Sequence, residues 1–438
     1  MSLINKIRNK EAHIGVIGLG YVGLPLAVEF AKCGFHVTGI DIDDNKVTSI
    51  NNGENYISDI DDSLLTNLVK KEKLKATKDD SIIAHLDAIS ICVPTPLSKV
   101  KEPDVSYIIN AVNSIKKHLH KDLLIILEST TYPGTTKEVI LSAMKESGLK
   151  VGKDYFLCFS PERIDPGNKS YNISNTPKVI GGITNECTNV GQVLYSQIVQ
   201  DVISVSTPET AEMVKLLENT FRSINIGLAN EVAIMSEKLG IDVWEVIDAA
   251  NTKPYGFMKF TPGPGLGGHC IPIDPLYLSW KMKNLNYNPK FIDLASSINA
   301  SMPEHVIDIL KKSLEANHKK LENSKILLLG MAYKKDIDDI RESPSLDILY
   351  LLNQYKSKVE YFDPYIPDFI FNKRKKTSLN TISSDILKKF DAVIILTDHS
   401  NIDYELIKNN ANLILDTRNV YPLNNDNHIY RLGVGKSE

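Results

Sequence analysis

Three glycines frame the segment Gly18-Leu19-Gly20-Tyr21-Val22-Gly23, and their spacing suits phosphate chemistry. The first permits a tight turn, the second lets backbone approach a pyrophosphate, and the third lets a helix pack on a strand. A helix opening at that turn presents free N–H groups and the positive end of its dipole to an anion. Asp41 stands 18 residues after Gly23. An acidic group there accepts both ribose hydroxyls and repels a 2′-phosphate, so the combination predicts NAD rather than NADP. A second chemistry is offered by Gly267-Gly268-His269-Cys270, with Asp274 four positions on. Of the five cysteines, Cys33 falls in a helical pattern, Cys92 and Cys158 fall in core-strand patterns, and Cys187 reads as a surface residue. Cys270 is then the one set in a glycine-rich loop, where small residues let a substrate approach the backbone and a thiolate can act as nucleophile. His269 is its neighbour in sequence, but adjacent side chains seldom point together, so it reads as structural or substrate-contacting.

These groups need elements to hold them. Residues 13–18 form an apolar run, 24–32 repeat at helical spacing and 36–40 form a second run, a strand–helix–strand pattern. Further runs at 88–93, 123–127 and 155–159 alternate with helical stretches, as in a parallel sheet covered on both faces. Residues 209–239 lack proline and repeat apolar residues at Met213, Leu216, Leu217, Phe221, Ile224 and Leu228, which predicts one long helix stopped by Gly240. The Pro- and Gly-rich stretch 253–275 interrupts the helical pattern, which resumes over 291–314. After the charged segment 318–324, strand patterns restart at 325–330 and continue at 359–362, 392–396 and 413–415. The predicted fold class is α/β: two Rossmann-like doubly wound domains, 1–205 and 320–438, joined by a central helical domain, 206–315, that contains the long helix and the cysteine loop.

Composition agrees with several such domains, since 438 residues exceed what one core usually organises. Hydrophobic content of 42% and charged content of 24% are those of a globular protein. A net charge of −4 without a basic stripe argues against nucleic acid as a partner. No apolar run approaches the roughly 20 residues of a membrane span, and residues 1–10 carry no apolar signal core. A cytoplasmic protein with reduced cysteines and neither a disulfide framework nor a metal site is therefore expected.

Six segments in order carry a resemblance: Gly18 to Gly23, Glu128-Ser-Thr-Thr-Tyr-Pro-Gly, Ser160-Pro-Glu-Arg-Ile-Asp-Pro-Gly, Lys215-x3-Asn219, Gly267-Gly-His-Cys and Lys335-x5-Arg341-Glu-Ser. Over nearly its whole length the chain resembles the UDP-glucose/UDP-mannose dehydrogenase family. Within it, Gly263-Pro-Gly-Leu-Gly-Gly-His-Cys-Ile-Pro-Ile-Asp-Pro looks like the branch acting on UDP-N-acetylhexosamines, UDP-N-acetylglucosamine foremost. Where UDP-glucose members often show an acidic residue after the Pro-Glu motif, this chain has Asp165-Pro166-Gly167, a departure that weakens direct transfer of their substrate contacts and fits the N-acetyl branch.

The resemblance implies a four-electron oxidation of a C6 alcohol to a carboxylate by two NAD molecules in succession, for synthesis of cell-surface polysaccharide precursors. A cysteine thiolate would trap the intermediate aldehyde as a thiohemiacetal, and its oxidation gives a thioester that water hydrolyses. On the same resemblance, Lys215 and Asn219 stabilise the oxyanion, and their spacing of four places both on one helix face. Asp274 orients water or tunes the lysine, Glu162 does general acid/base work beside the substrate-contacting Arg163, and Thr131 binds the water next to the cofactor. Tyr21, Val22, Pro94 and Thr95 complete the cofactor cradle, and Arg341 lies near the cofactor pyrophosphate. Gly267, Lys335 and Arg418 meet the UDP-sugar, arginine being suited to bidentate phosphate contact. The family also implies a homodimer built around the long helix.

Other readings differ in what they require. A UDP-N-acetylmannosamine or UDP-glucose 6-dehydrogenase would share all this chemistry apart from the sugar pocket. A two-electron hydroxyacid dehydrogenase would need no cysteine. A non-catalytic NAD-binding regulatory protein would keep the glycine turn but have no need of Cys270, Lys215 and Asp274 together.

Overall fold

The computed structural model describes residues 2–57, 60–98, 102–165, 168, 170–422 and 426–435. The chain forms two compact units, one of Met1–Glu218 with Leu276–Tyr287, the other of Asn219–Pro275 with Asn288–Glu438.

The first unit is built on eight strands: β1 (His13–Ile17), β2 (His36–Ile40), β3 (Leu74–Thr77), β4 (Ala88–Ile91), β5 (Leu124–Leu127), β6 (Phe156–Phe159), β7 (Lys178–Gly182) and β8 (Val202–Val205). Their order is β3-β2-β1-β4-β5-β6-β7-β8. Side chains alternate between two cores. Ile14, Val16, Leu124 and Ile126 face one, while Ile17, Ile89, Ile91 and Ile125 face the other. Burial on both faces explains why the strands read as unbroken apolar runs. Pairing is parallel from β3 through β6. Then β7 pairs antiparallel with β6, and β8 runs parallel to β7. A parallel return needs a crossover, usually a helix, and no helix is found between Phe159 and Lys178 among the described residues. The strand order reverses between β1 and β4, which puts the ligand crevice of such sheets at their carboxyl ends.

Cys187 is not the surface residue that its sequence neighbours suggest. Cys187 is fully buried, because the helix Asn185–Tyr195 turns it onto the sheet, where its sulfur accepts from the Leu157 N–H at 3.3 Å. Its polar sequence neighbours conceal that inward face.

The long helix is Pro208–Leu239, and Gly240, at φ 72°, stops it in the left-handed conformation. In the second unit the helix Lys290–Ala316, which tolerates Pro303, passes so close to Gly227 that a Cβ there would lie 3.3 Å from Ala295. That close approach accounts for the interior glycine. The second sheet comprises β9 (Lys325–Leu329), β10 (Lys358–Phe362), β13 (Ala392–Ile395), β14 (Ile414–Asp416) and β15 (Ile429–Arg431), while β11 (Asp368–Phe371) and β12 (Arg374–Thr377) form a separate hairpin. All pairs in the order β10-β9-β13-β14-β15 are parallel. Beyond β15 the chain returns to the helices of this unit, where the Trp244 indole donates to the Leu432 carbonyl at 2.9 Å. Among the described residues no helix is long and apolar enough to cross a membrane.

Candidate active site

The glycine turn follows β1, and its three glycines meet different surroundings. Gly18 has φ 90° and a Cβ there would sit 2.7 Å from the Cys92 carbonyl oxygen. A Cβ at Gly23 would sit 1.8 Å from the Gly18 carbonyl oxygen, whereas one at Gly20 would meet nothing within 4 Å. The first and third are therefore fixed by packing, and the second leaves an open face beside the N-terminus of the helix Gly23–Lys32. An open backbone face at a helix N-terminus fits a dinucleotide pyrophosphate.

Asp41 directly follows the second strand and is buried. Its carboxylate accepts from the Leu19 N–H at 2.8 Å and the Asp43 N–H at 3.0 Å, with the Lys46 ammonium at 3.3 Å. Asp41 thus anchors the glycine turn, an additional duty that the sequence pattern does not reveal. The Tyr56 hydroxyl fixes the same turn by donating to the Leu19 carbonyl at 2.7 Å. Tyr21 is exposed, Val22 half-buried, and after β4 Pro94 is exposed while Thr95 is buried. The Tyr277 hydroxyl donates to the Thr95 carbonyl.

At the carboxyl ends of β5 and β6 lies a buried charge cluster. Glu128 and Lys178 pair at 2.5 Å, and the same ammonium is 3.4 Å from Glu162. The Tyr195 hydroxyl donates to the second Glu128 oxygen. Burial raises the Glu162 carboxyl, but the Lys178 ammonium and the donated Ile164 N–H outweigh it and hold it below the usual carboxylate range. The Lys215 ammonium, on the long helix, donates to the Glu162 carbonyl at 2.5 Å. Arg163 is bound to Glu218 at 2.6 Å and to the Pro177 carbonyl at 2.7 Å. Thr131 is buried and shares a 2.7 Å hydrogen bond with Thr135. The loop that carries it is clamped by Glu212, which accepts from the N–H groups of Gly134 and Thr136 at 2.6 and 2.9 Å and from the Thr136 hydroxyl at 2.7 Å. Sequence reading missed both Lys178 and Glu212. Their available signals were a lysine heading an apolar strand and a glutamate three positions before Lys215 on the helix.

The second unit holds the thiol. Cys270 is exposed, its carbonyl accepts from the N–H groups of Ile273 and Asp274 at 3.2 and 2.8 Å, and the helix Asp274–Asn284 begins there. Asp274 is buried and accepts from the Asn219 amide at 2.5 Å. Asn219, Asp274 and Cys270 thus form one bonded chain. The close approach at Gly267 and Gly268 is made by Tyr333, since a Cβ on either would fall 2.5 or 2.7 Å from that side chain. The Gly268 N–H donates to the Arg341 carbonyl at 3.1 Å. Burial, then the Arg341 guanidinium, lowers the His269 pKa and disfavours the charged imidazolium. The remaining cations have separate partners: Lys335 lies 3.6 Å from Asp398, Arg341 lies 2.7 Å from Asp339, and Arg418 donates to the Leu396 carbonyl at 2.7 Å. Gly263 gives Arg418 its room, as a Cβ there would be 2.8 Å from the guanidinium. Asp165 is half-buried; Pro166 and Gly167 lie outside the described residues.

A doubly wound sheet of reversing order, a glycine turn at the reversal and an acid after the second strand define a dinucleotide-binding protein. Residues 12–199 match the NAD binding domain of the UDP-glucose/GDP-mannose dehydrogenase family, 209–301 its central domain and 327–423 its UDP binding domain. The chain belongs to that family, whose name pairs mannose with GDP rather than with the UDP expected from sequence. Among its relatives, a UDP-N-acetyl-D-mannosamine dehydrogenase of Pyrococcus horikoshii is 35% identical over 97% of this chain and 99% of its own. A UDP-N-acetyl-D-glucosamine 6-dehydrogenase of Pseudomonas aeruginosa is 34% identical over 89% of this chain and 91% of its own. The solved UDP-D-ManNAc dehydrogenase of Pyrococcus horikoshii superposes with a TM-score of 0.87 at 34% identity, covering 97% of this chain and 100% of that one. The protein is an NAD-dependent oxidoreductase of the nucleotide-sugar dehydrogenase class.

Proposed function

We propose that the protein oxidises the C6 alcohol of a UDP-N-acetylhexosamine to the uronic acid through a thioester on Cys270. The observation that carries this reading is the bonded chain Asn219–Asp274–Cys270: an exposed thiol on a loop pinned by a buried carboxylate and the start of a helix. In balance, the alcohol, one water and two NAD⁺ become the carboxylate, two NADH and three protons. NAD supplies the hydride acceptor in both oxidations. Glu162, kept ionised, takes the proton that leaves the C6 hydroxyl. The Cys270 thiolate adds to the aldehyde carbon, so that the reactive carbonyl stays covalently held until the second oxidation. Lys215 and Asn219, one turn apart on Pro208–Leu239, offer N–H donors to the oxyanion. Asp274 is assigned to the water that releases the acid and returns the thiol, and Thr131 to water beside the cofactor. Lys335 and Arg418 are assigned to the nucleotide sugar and Arg341 to the cofactor pyrophosphate. Residues 1–205, 206–315 and 320–438 act as cofactor, central and nucleotide-sugar segments, and a homodimer about the long helix belongs to the same proposal.

For the sugar, the loop beginning at Gly263 favours the gluco epimer, and the relatives named for mannosamine favour the manno epimer as the second reading. The test is NADH released per sugar across UDP-N-acetylglucosamine, UDP-N-acetylmannosamine and UDP-glucose. Two NADH from an N-acetylhexosamine supports the proposal; preference for UDP-glucose or a yield of one refutes it. Cys270→Ser should form no acid, because a serine alkoxide is scarce at neutral pH and its ester is a different intermediate.

A further inference from the structure

We propose that Lys178 is a positioning residue for the reaction: its ammonium, fixed between the carboxylates of Glu128 and Glu162, holds Glu162 as an oriented, ionised base. This rests on the reading of Glu162 as the base. Lys178 opens β7, Glu128 directly follows β5, and both are buried, so two rigid strands set the ammonium in place. Its distances are 2.5 Å to Glu128 and 3.4 Å to Glu162, and it lies 5.1 Å from the ring centre of Tyr195. The Tyr195 hydroxyl occupies the other Glu128 oxygen, so Glu128 steers Lys178 without reaching further.

Both oxygens of Glu162 are engaged. One accepts from the N–H groups of Arg163 and Ile164 at 2.8 and 2.7 Å, and the other faces Lys178. The other charges about Glu162 are already placed: Lys215 donates to its backbone carbonyl rather than its carboxylate, and Arg163 is neutralised by Glu218. The Glu128 carboxylate and the buried Cys92 thiol are the groups that would raise it if ionised. Lys178 is therefore the cation that bonds the Glu162 carboxylate, and its charge acts on it more strongly than that of Lys215. A buried ion pair is poor at stabilising a fold, since desolvation offsets attraction and apolar residues of like volume serve as well. Its consequence here is chemical. With the ammonium removed, the largest of the influences that oppose burial is lost, and the Arg163 and Ile164 N–H groups and the Lys215 charge are left to oppose it, so Glu162 moves toward the neutral acid, which cannot take a proton.

The sign follows directly. A base must be ionised, so activity falls as pH drops through its pKa. An opposite charge at this distance moves a carboxyl by about one to three pH units. In profiles of kcat/KM against pH, Lys178→Met should move the acid limb upward by about one to three units, while Lys178→Arg should keep it near the wild-type position. Glu162→Gln should remove the limb. If the single variant fails to fold because Glu128 is left buried and unpaired, Glu128→Gln with Lys178→Met is read in its place. A folded charge-free variant with an unmoved limb overturns the proposal. Failure of the underlying function would show separately, as wild-type enzyme yielding other than two NADH per sugar.

Discussion

Alanine at each glycine of the cofactor turn would meet a different environment. At Gly23 the new methyl would fall 1.8 Å from the Gly18 carbonyl oxygen, so the helix Gly23–Lys32 would have to move off the strand. Overpacking of this kind costs about 1–3 kcal/mol. At Gly20 no protein atom lies within 4 Å, so Gly20→Ala should change stability by less than about 0.5 kcal/mol. The methyl would instead occupy the face offered to the pyrophosphate, and NAD affinity should fall on the order of tenfold or more. Urea unfolding of the apo variants and NAD titration separate the two effects. Equal loss of stability in both variants, or unchanged NAD binding by Gly20→Ala, would defeat the distinction. The roles of these glycines were legible in sequence because they follow from backbone geometry at fixed spacing. Lys178 was not, because a lysine at the first position of a strand normally points to water, and only the fold brings it against Glu128 and Glu162.

Between elements, the contact with the sharpest consequence is the clamp of the long helix on the loop of Gly134 and Thr136. Glu212 receives three hydrogen bonds there, yet burial pushes its carboxyl up from 4.5 to about 7. A carboxyl whose pKa is raised by folding contributes stability that is complete below the unfolded value and is lost as pH rises through the folded one. The loss should run from about pH 4.5 to about pH 7 and amount to about 3 kcal/mol. Glutamine does not titrate, so the stability of wild type relative to Glu212→Gln should decline across that interval, measured by denaturant unfolding at several pH values. A difference independent of pH would sink this account. Elements with strong periodicity were readable beforehand, as with the helix Pro208–Leu239, expected at 209–239. The reversal of β7 and β8 was not, since strand direction depends on a connection without a helix. The hairpin of β11 and β12 also escaped notice: its strands are four residues each, and its turn at Asn372 and Lys373, both at positive φ, lacks the glycine that usually marks such turns.

Across the whole molecule the two sheets share one plan. Gly330, at φ 85°, follows β9 as Gly18 follows β1. Asp363 follows β10 and accepts from the N–H groups of Met331 and Ala332 at 2.6 and 2.9 Å, as Asp41 does from Leu19. Only the first sheet carries the later glycines, so sequence identified one nucleotide fold by motif and the other by apolar runs alone. A second molecular-scale feature is the stripe on the long helix: Phe221, Leu228 and Met235 recur every seven residues, and all three are exposed together with Leu239. An exposed apolar stripe of this period marks a helix that buries it against another surface, and a second copy of the same helix is the proposed occupant. Leu228, 56% exposed in the isolated chain, lies midway between Phe221 and Met235. Leu228→Asp should cost the protomer little, since the position is on its surface, but would bury an unpaired carboxylate at a twofold contact. Light scattering behind size exclusion should give twice the 48.9 kDa chain mass for wild type and a single chain mass for the variant, with unchanged far-ultraviolet dichroism. A wild type at one chain mass, or a variant that keeps the wild-type mass, would exclude this stripe as the dimer contact.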